Sequence, residues 1–259
     1  MWVLETVAVA FGMYSALPVP HIEWNEKNMR YALVAFPLVG AVLGLAWWGA
    51  CALCKLLALP TILRGAILCV LPALVTGGIH LDGYADTSDA LASHAAPERK
   101  QEILRDPHCG AFAVIRLCVY FVAFFALCCV LEPTDETLWC AGFGFVLSRA
   151  LSGLALAALP IAEGSSLART FADTADKRRT SAILAAVTGA CIAGLYLHGG
   201  RAIFLVETCV LLVVAIHYAD TARRQFGGLS GDLAGWFLVK TEFWALAALV
   251  VTPYAERML

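Results

Sequence analysis

Residues 31–53 read YALVAFPLVGAVLGLAWWGACAL, with no charged side chain anywhere in the run. A helix rises about 1.5 Å per residue, so this stretch is long enough to cross an apolar slab of roughly 30 Å. Working outward, comparable apolar stretches lie near residues 3–20, 62–79, 110–131, 137–160, 181–198, 202–219 and 233–252. Composition agrees: 61% of the chain is hydrophobic and only 15% charged, where an ordinary soluble domain carries about a quarter charged residues. Mean hydropathy is +0.77. The expectation is an all-α, polytopic integral membrane helix bundle of about eight transmembrane or re-entrant helices, forming one domain over residues 1–259.

The N-terminal stretch has the length of a signal peptide. It carries Glu5, lacks a basic n-region and runs into Leu17-Pro18-Val19-Pro20, so it reads as a retained helix.

The distribution of charge says more than its net value of −2, which suggests no nucleic-acid partner. With eight helices, the connections near 20–30, 80–109, 161–180 and 220–232 lie on one side. They hold 11 of the 18 basic residues, among them Arg105, Arg169, Arg223 and Arg224. The opposite side holds Lys55, Arg64, Arg201 and Arg257, together with the acidic loop 131–136. The positive-inside rule makes the first set cytoplasmic.

The densest polar motif lies on that side: Thr76-Gly77-Gly78-Ile79-His80-Leu81-Asp82-Gly83-Tyr84-Ala85-Asp86-Thr87-Ser88-Asp89. On a helix, Asp82, Asp86 and Asp89 fall at roughly 0°, 40° and −20°, on one face. Three carboxylates on one face beside apolar sequence repel one another unless a cation sits among them. Hard oxygen donors select Mg²⁺ or Mn²⁺ over zinc, and Mg²⁺ commonly joins a few carboxylates to substrate phosphates. A phosphoryl-transfer site is the inference, with Asp82, Asp86 and Asp89 as metal ligands. His80 would fall at roughly 160° on the same helix, the wrong face for a shared metal. If Gly77-Gly78 frees it from that geometry, its ring suits removal of a hydroxyl proton; the alternative is an interfacial histidine bonded to backbone.

Two further segments face the same side. Arg105-Asp106-Pro107-His108-Cys109-Gly110 precedes a helix start, where free N–H groups and the Arg105 fork suit phosphate, while Asp106 is either a contact or a helix cap. Gly227, Gly228 and Gly231 lie in a turn that lets backbone approach a diphosphate, and Asp232 is placed to take a metal or cap the next helix. Among charges inside helices, Lys240 and Glu242 are expected to pair, and Arg149 beside Ser148 to touch substrate. Most of the ten cysteines sit within apolar runs and read as small hydrophobes.

These residues together resemble the cobalamin synthase family, the adenosylcobinamide-GDP ribazoletransferases. The resemblance covers nearly the whole chain: Leu17-Pro18-Val19-Pro20, Phe36-Pro37-Leu38-Val39-Gly40, Thr76 to Asp89, Arg105-Asp106 with Gly110, Ser148-Arg149, and Gly227 to Asp232. It implies an Mg²⁺-dependent late step of cobalamin (vitamin B12) biosynthesis. A ribose hydroxyl of α-ribazole, or of its 5′-phosphate, attacks the cobinamide-linked phosphorus of adenosylcobinamide-GDP, and GMP leaves. It further implies a multi-pass protein of the bacterial inner membrane, in contact with membrane lipid, with the active site facing the cytoplasm and the oligomeric state open. In that frame His80, Asp82 and Asp86 are the catalytic candidates. Arg105, Asp106, Arg149, Gly227, Gly228, Gly231 and Asp232 are candidates for substrate and phosphate contact. The chain departs from the family pattern at Pro107-His108, where Ser-Arg is usual, and at Ala16, where arginine is usual. Two other readings are a CDP-alcohol phosphotransferase, whose pattern Asp82-Gly83-Tyr84-Ala85-Asp86 half meets, and an ion-coupled transporter with buried carboxylates.

Overall fold

A computed structural model describes residues 2–162, 165 and 174–258 of the chain. Arg169, counted above among the basic residues, lies outside the described residues. The described chain is helical, with α1 at Trp2–Tyr14, α2 at Glu26–Met29, α3 at Ala32–Leu56, α4 at Thr61–Thr76 and α5 at Ile79–Ala92. It continues with α6 at Pro97–Ile103, α7 at Ala111–Val130, α8 at Asp135–Ala158, α9 at Lys177–Phe226 and α10 at Gly231–Met258. The one non-helical pairing among the described residues is an isolated parallel bridge between Ile161 and Leu229.

The membrane reading holds, with a different division from the eight stretches expected. Five helices (α3, α7, α8, α9 and α10) are long and apolar enough to cross a membrane, and six if α4 and α5 count as one bent span. At 13 residues α1 is short of a full crossing. The 50-residue α9 contains two of the expected stretches, because Gly200 (φ 71°, ψ −176°) interrupts it. In one continuous helix Tyr196 and Phe204 would stand about 12 Å apart along the axis. Their ring centroids are 5.5 Å apart, so the two arms fold back on each other. Gly194 on the first arm meets the Phe143 ring of α8 and Gly144 meets Glu207 of the second arm, which puts both arms on neighbouring turns of α8.

The turn that makes the site is at Gly77 and Gly78, both in the left-handed region at φ 65° and 79°. A side chain there would be strained, whereas glycine adopts the conformation freely. Gly77 ends α4 as the sequence suggested, and the chain leaves at 94° into α5.

Packing between long helices relies on small residues, as expected where no water drives helices together. A Cβ on Gly44 of α3 would stand 2.9 Å from the Gly142 Cα of α8, and one on Gly40 would collide with the Phe145 carbonyl. Beneath this seam lies a core around Leu43, Trp47, Phe124, Phe145 and Leu147, with the Trp47 indole donating to the Leu68 carbonyl at 3.1 Å. A second core of Leu33, Tyr218, Phe226, Leu229, Trp236 and Phe237 sits at the end of the bundle that carries the polar loops. All ten cysteines are free, and Cys51 and Cys54 are buried.

The loops predicted to share one side do converge. Tyr31 bonds Asp176 and Arg179, Lys100 and Gln101 bond Gln225 and the Phe226 carbonyl, and Leu229 bonds Pro160 and Ala162. At the other end Arg64 donates to the Leu131 carbonyl, and Gly199 lies against Cys140. Cys109 is exposed at the first end, and Glu132 is exposed at the second. An impermeant thiol reagent is therefore expected to reach Cys109 and an introduced Glu132→Cys from opposite membrane sides, in a chain lacking exposed Cys118 and Cys209. Labelling of both from one side would contradict this arrangement.

Candidate functional site

The acidic face of α5 is intact: Asp82, Asp86 and Asp89 lie within one uninterrupted helix and are all partly exposed. Asp86 lies within electrostatic reach of Asp82, Asp232 and Asp89. Asp232 joins the group because α10 starts directly against α5. A Cβ on Gly83 would stand 2.7 Å from the Asp232 carbonyl oxygen, and one on Gly235 would stand 3.0 Å from the His80 carbonyl oxygen. Two glycines, one per helix, thus let the backbones touch and bring the fourth carboxylate alongside the other three. The cap of α10 is Ser230, whose hydroxyl oxygen accepts from Leu233 N at 3.2 Å, so Asp232 is not the capping residue. Asp89 sits against Gly110, the residue before α7, where a Cβ would meet the Asp89 carboxylate oxygens. The start of a helix favours negative charge, which offsets part of the crowding.

Among the described residues, no three His, Cys, Asp or Glu side chains are gathered tightly enough to hold a metal ion by themselves. Mg²⁺ retains waters and takes one or two carboxylates plus substrate phosphate oxygens. The donor set is all hard oxygen, so the residues fit such an ion.

His80 is not the solvent-facing base the sequence allowed. Helix α5 begins at Ile79, so His80 shares its rotation and points away from the aspartate face. The ring is buried between Tyr14 at 6.4 Å and Phe36 at 5.7 Å, and Nε2 has no hydrogen-bond partner. Arg149, expected to touch substrate, is also closed off. It is fully buried, and its Nη1 donates to Glu242 Oε1 at 2.5 Å, to Ser148 Oγ at 3.0 Å and to the Phe145 carbonyl at 2.9 Å. The expected Lys240–Glu242 pair does not form, because residues two apart on a helix face different ways. Lys240 instead lies over the Trp236 ring at 4.1 Å.

The glycine turn divides by function. Gly228 N donates to the Ala222 carbonyl at 3.0 Å, and the neighbouring Leu229 N donates to Pro160 at 2.9 Å, so these amides close the end of α9 and pin the 160–162 segment. Gly227 and Gly231 are exposed. In the 105–110 segment, the Asp106 Oδ1 accepts from His108 N at 2.9 Å and meets the His108 ring Nδ1 at 2.6 Å. Those bonds, the backbone N–H first, hold the Asp106 carboxyl below its usual range. Asp106 therefore shapes its own loop and draws His108 back onto it. Arg224 is held by Asp220 at 2.6 Å, while Arg223 on the adjacent position is exposed.

A family model described as cobalamin-5-phosphate synthase matches residues 6–250. The chain belongs to the cobalamin-5-phosphate synthase family. Among curated relatives, a protein of Lachnoclostridium phytofermentans named adenosylcobinamide-GDP ribazoletransferase is 42% identical, covering 96% of this chain and 94% of its own. Relatives with the same name from Ectopseudomonas mendocina, at 32% identity over 94% and 98%, and Clostridium perfringens (strain SM101 / Type A), at 28% over 95% and 97%, extend the likeness. No solved structure matches.

The carboxylates of the acidic face were legible in the sequence, and what positions them was not. Gly83 and Gly110 lay inside the quoted motifs without a role: Gly83 admits the Asp232 backbone from an element far away in sequence, and Gly110 leaves room for the Asp89 carboxylate. Glu207, buried with Oε2 unpartnered, was overlooked altogether because it sits alone in an apolar run.

Proposed function

We propose that this chain is an adenosylcobinamide-GDP ribazoletransferase, an Mg²⁺-dependent enzyme of the bacterial cytoplasmic membrane whose acidic face opens to the cytoplasm. The observation that carries the reading is the meeting of Asp82, Asp86 and Asp89 with Asp232 at the loop-rich end of the bundle. Family membership supplies the substrate pair: adenosylcobinamide-GDP and α-ribazole or its 5′-phosphate.

Asp82 and Asp86 would hold Mg²⁺, with Asp89 and Asp232 supporting, and the bound ion would neutralise charge on the diphosphate. The chain's own part is positioning and charge. Gly227, Gly231 and Arg223 are exposed at the turn that leads into Asp232, and they would offer backbone and a cation to the phosphates. Asp232, the carboxylate of the cluster supplied by the neighbouring helix, takes the ribose hydroxyl proton as the oxygen attacks the cobinamide-linked phosphorus. The bond to the GMP oxygen breaks, and GMP leaves with the electron pair. Holding both reactants in line removes much of the entropic barrier of a two-substrate reaction.

The test is GMP release by the purified full chain supplied with adenosylcobinamide-GDP, α-ribazole and Mg²⁺. Release that requires the ribazole and falls to background with EDTA is expected. Release independent of ribazole would overturn the reading, as would no release from active-fold protein. CMP release from a CDP-activated lipid alcohol would instead favour the phosphotransferase alternative.

A further inference from the structure

On the far side of α5 from its aspartates lies a chamber of about 690 Å³ between α5, α7, the second arm of α9 and α10. Tyr84, Ser88 and Leu91 roof it, and they stand roughly 180° to 240° around the helix from Asp82. Its cations are Arg116 of α7 and Lys240 of α10, with His94 and His217 at the walls and no carboxylate in the lining. Arg116 and Lys240 lie within electrostatic reach of each other. Among the described residues neither forms an ion pair. Lys240 meets the Trp236 ring, and two adjacent cations within apolar helices with no carboxylate partner call for an anion.

The chamber does not end there. Ala123, Phe243 and Trp244 are shared with a second hollow of about 460 Å³, which runs on between Leu127 and Val130 of α7 and Val250, Val251 and Tyr254 of α10. Its lining is wholly without charge. From Phe112 to Val130 the seam is about 27 Å long, close to the apolar thickness of a bilayer. A charged head chamber followed by an apolar trough is the shape of an amphiphile, and α5 screens the chamber from the acidic face. Both cations have long stems that carry their charge toward the loop-rich end, where phospholipid phosphates lie.

We propose that the α7–α10 seam binds one anionic phospholipid from the adjoining leaflet, its phosphate between Arg116 and Lys240 and one acyl chain along Ala123 and Ala126. The site takes lipid sideways from the membrane and is separate from the reacting groups.

The test is native mass spectrometry of the full chain in detergent, titrated with dioleoyl phosphatidylglycerol or dioleoyl phosphatidylcholine. Wild type is expected to hold one phosphatidylglycerol at least about tenfold more tightly than phosphatidylcholine. Arg116→Gln or Lys240→Gln should each lose about fivefold of that preference, and the double variant should lose it entirely. Ala123→Trp, which fills the trough and keeps both cations, should also abolish tight binding. Equal retention of the two lipids by wild type would overturn the proposal, as would an unchanged preference in the double variant. Displacement of the lipid by glycerol 1-phosphate would make this a free-phosphate site, and displacement by α-ribazole 5′-phosphate a substrate subsite; either would also overturn it.

Discussion

Asp82→Asn and Asp86→Asn are each expected to cut the rate of GMP release by about 10² to 10³, while the protein keeps its helical content and its elution volume. Each substitution removes an anionic donor where the ion and the diphosphate would meet, and groups that stabilise developing charge in a dry site contribute on this scale. Stability should not fall, because both residues are partly exposed and stand in a like-charged group. Asp89→Asn should be milder, about tenfold, since its carboxylate lies against Gly110 at the start of α7. Rates are to be measured at saturating substrate over a wide range of Mg²⁺. Near-wild-type turnover in both variants would remove the acidic face from the reaction. A loss in Asp89→Asn as large as in the other two would move the centre of the site along α5.

The acidic face was legible because helix periodicity is a local property. Asp82, Asp86 and Asp89 are four and three residues apart, and no tertiary information is needed to place them together. The same periodicity put His80 on the wrong face, and the structure follows the geometry: Gly77 and Gly78 turn the chain, but α5 resumes at Ile79 before His80 is reached. Asp232 was legible as a candidate and not as a partner. Its place depends on Gly83 and Gly235 allowing backbone contact across 149 residues of sequence, as the Asp232 carbonyl beside Gly83 makes plain. The membrane class followed from composition. The number of spans did not, because hydropathy cannot distinguish two separate helices from the folded-back arms of α9, or a full span from the short α4 turned aside at a glycine pair. Lys240 and Glu242 illustrate the remaining limit. Sequence neighbours of opposite charge looked like a pair, but helix rotation sends Glu242 to Arg149 on α8 and Lys240 to Trp236.

That buried pair gives the second large effect. Arg149 has no exposed surface, and Glu242 is 6% exposed, so their ion pair locks α8 to α10 in a region without water to take over. Arg149→Met leaves Glu242 charged and unpaired, a loss of about 3–5 kcal/mol in comparable buried pairs. The surroundings worsen it. A cavity of about 10 Å³, large enough for about one water, is lined by both Glu242 and Glu207, and Glu207 already has an unpartnered Oε2. Without the guanidinium, Glu242 is left beside a hollow whose lining holds Glu207 and no basic side chain. The expected result is a melting temperature in detergent lowered by many degrees, followed with a thiol-reactive dye that reports exposure of the buried cysteines. The companion variant Arg149→Met with Glu242→Met removes both charges and should recover most of the loss, because a well-packed apolar replacement avoids the desolvation cost. If Arg149→Met melts with wild type, the pair contributes no net stability. If the double variant is as weak as the single, the loss comes from packing against Gly40 and Phe36, which the Arg149 stem and guanidinium also touch. The two variants therefore separate the charge from the shape of one side chain.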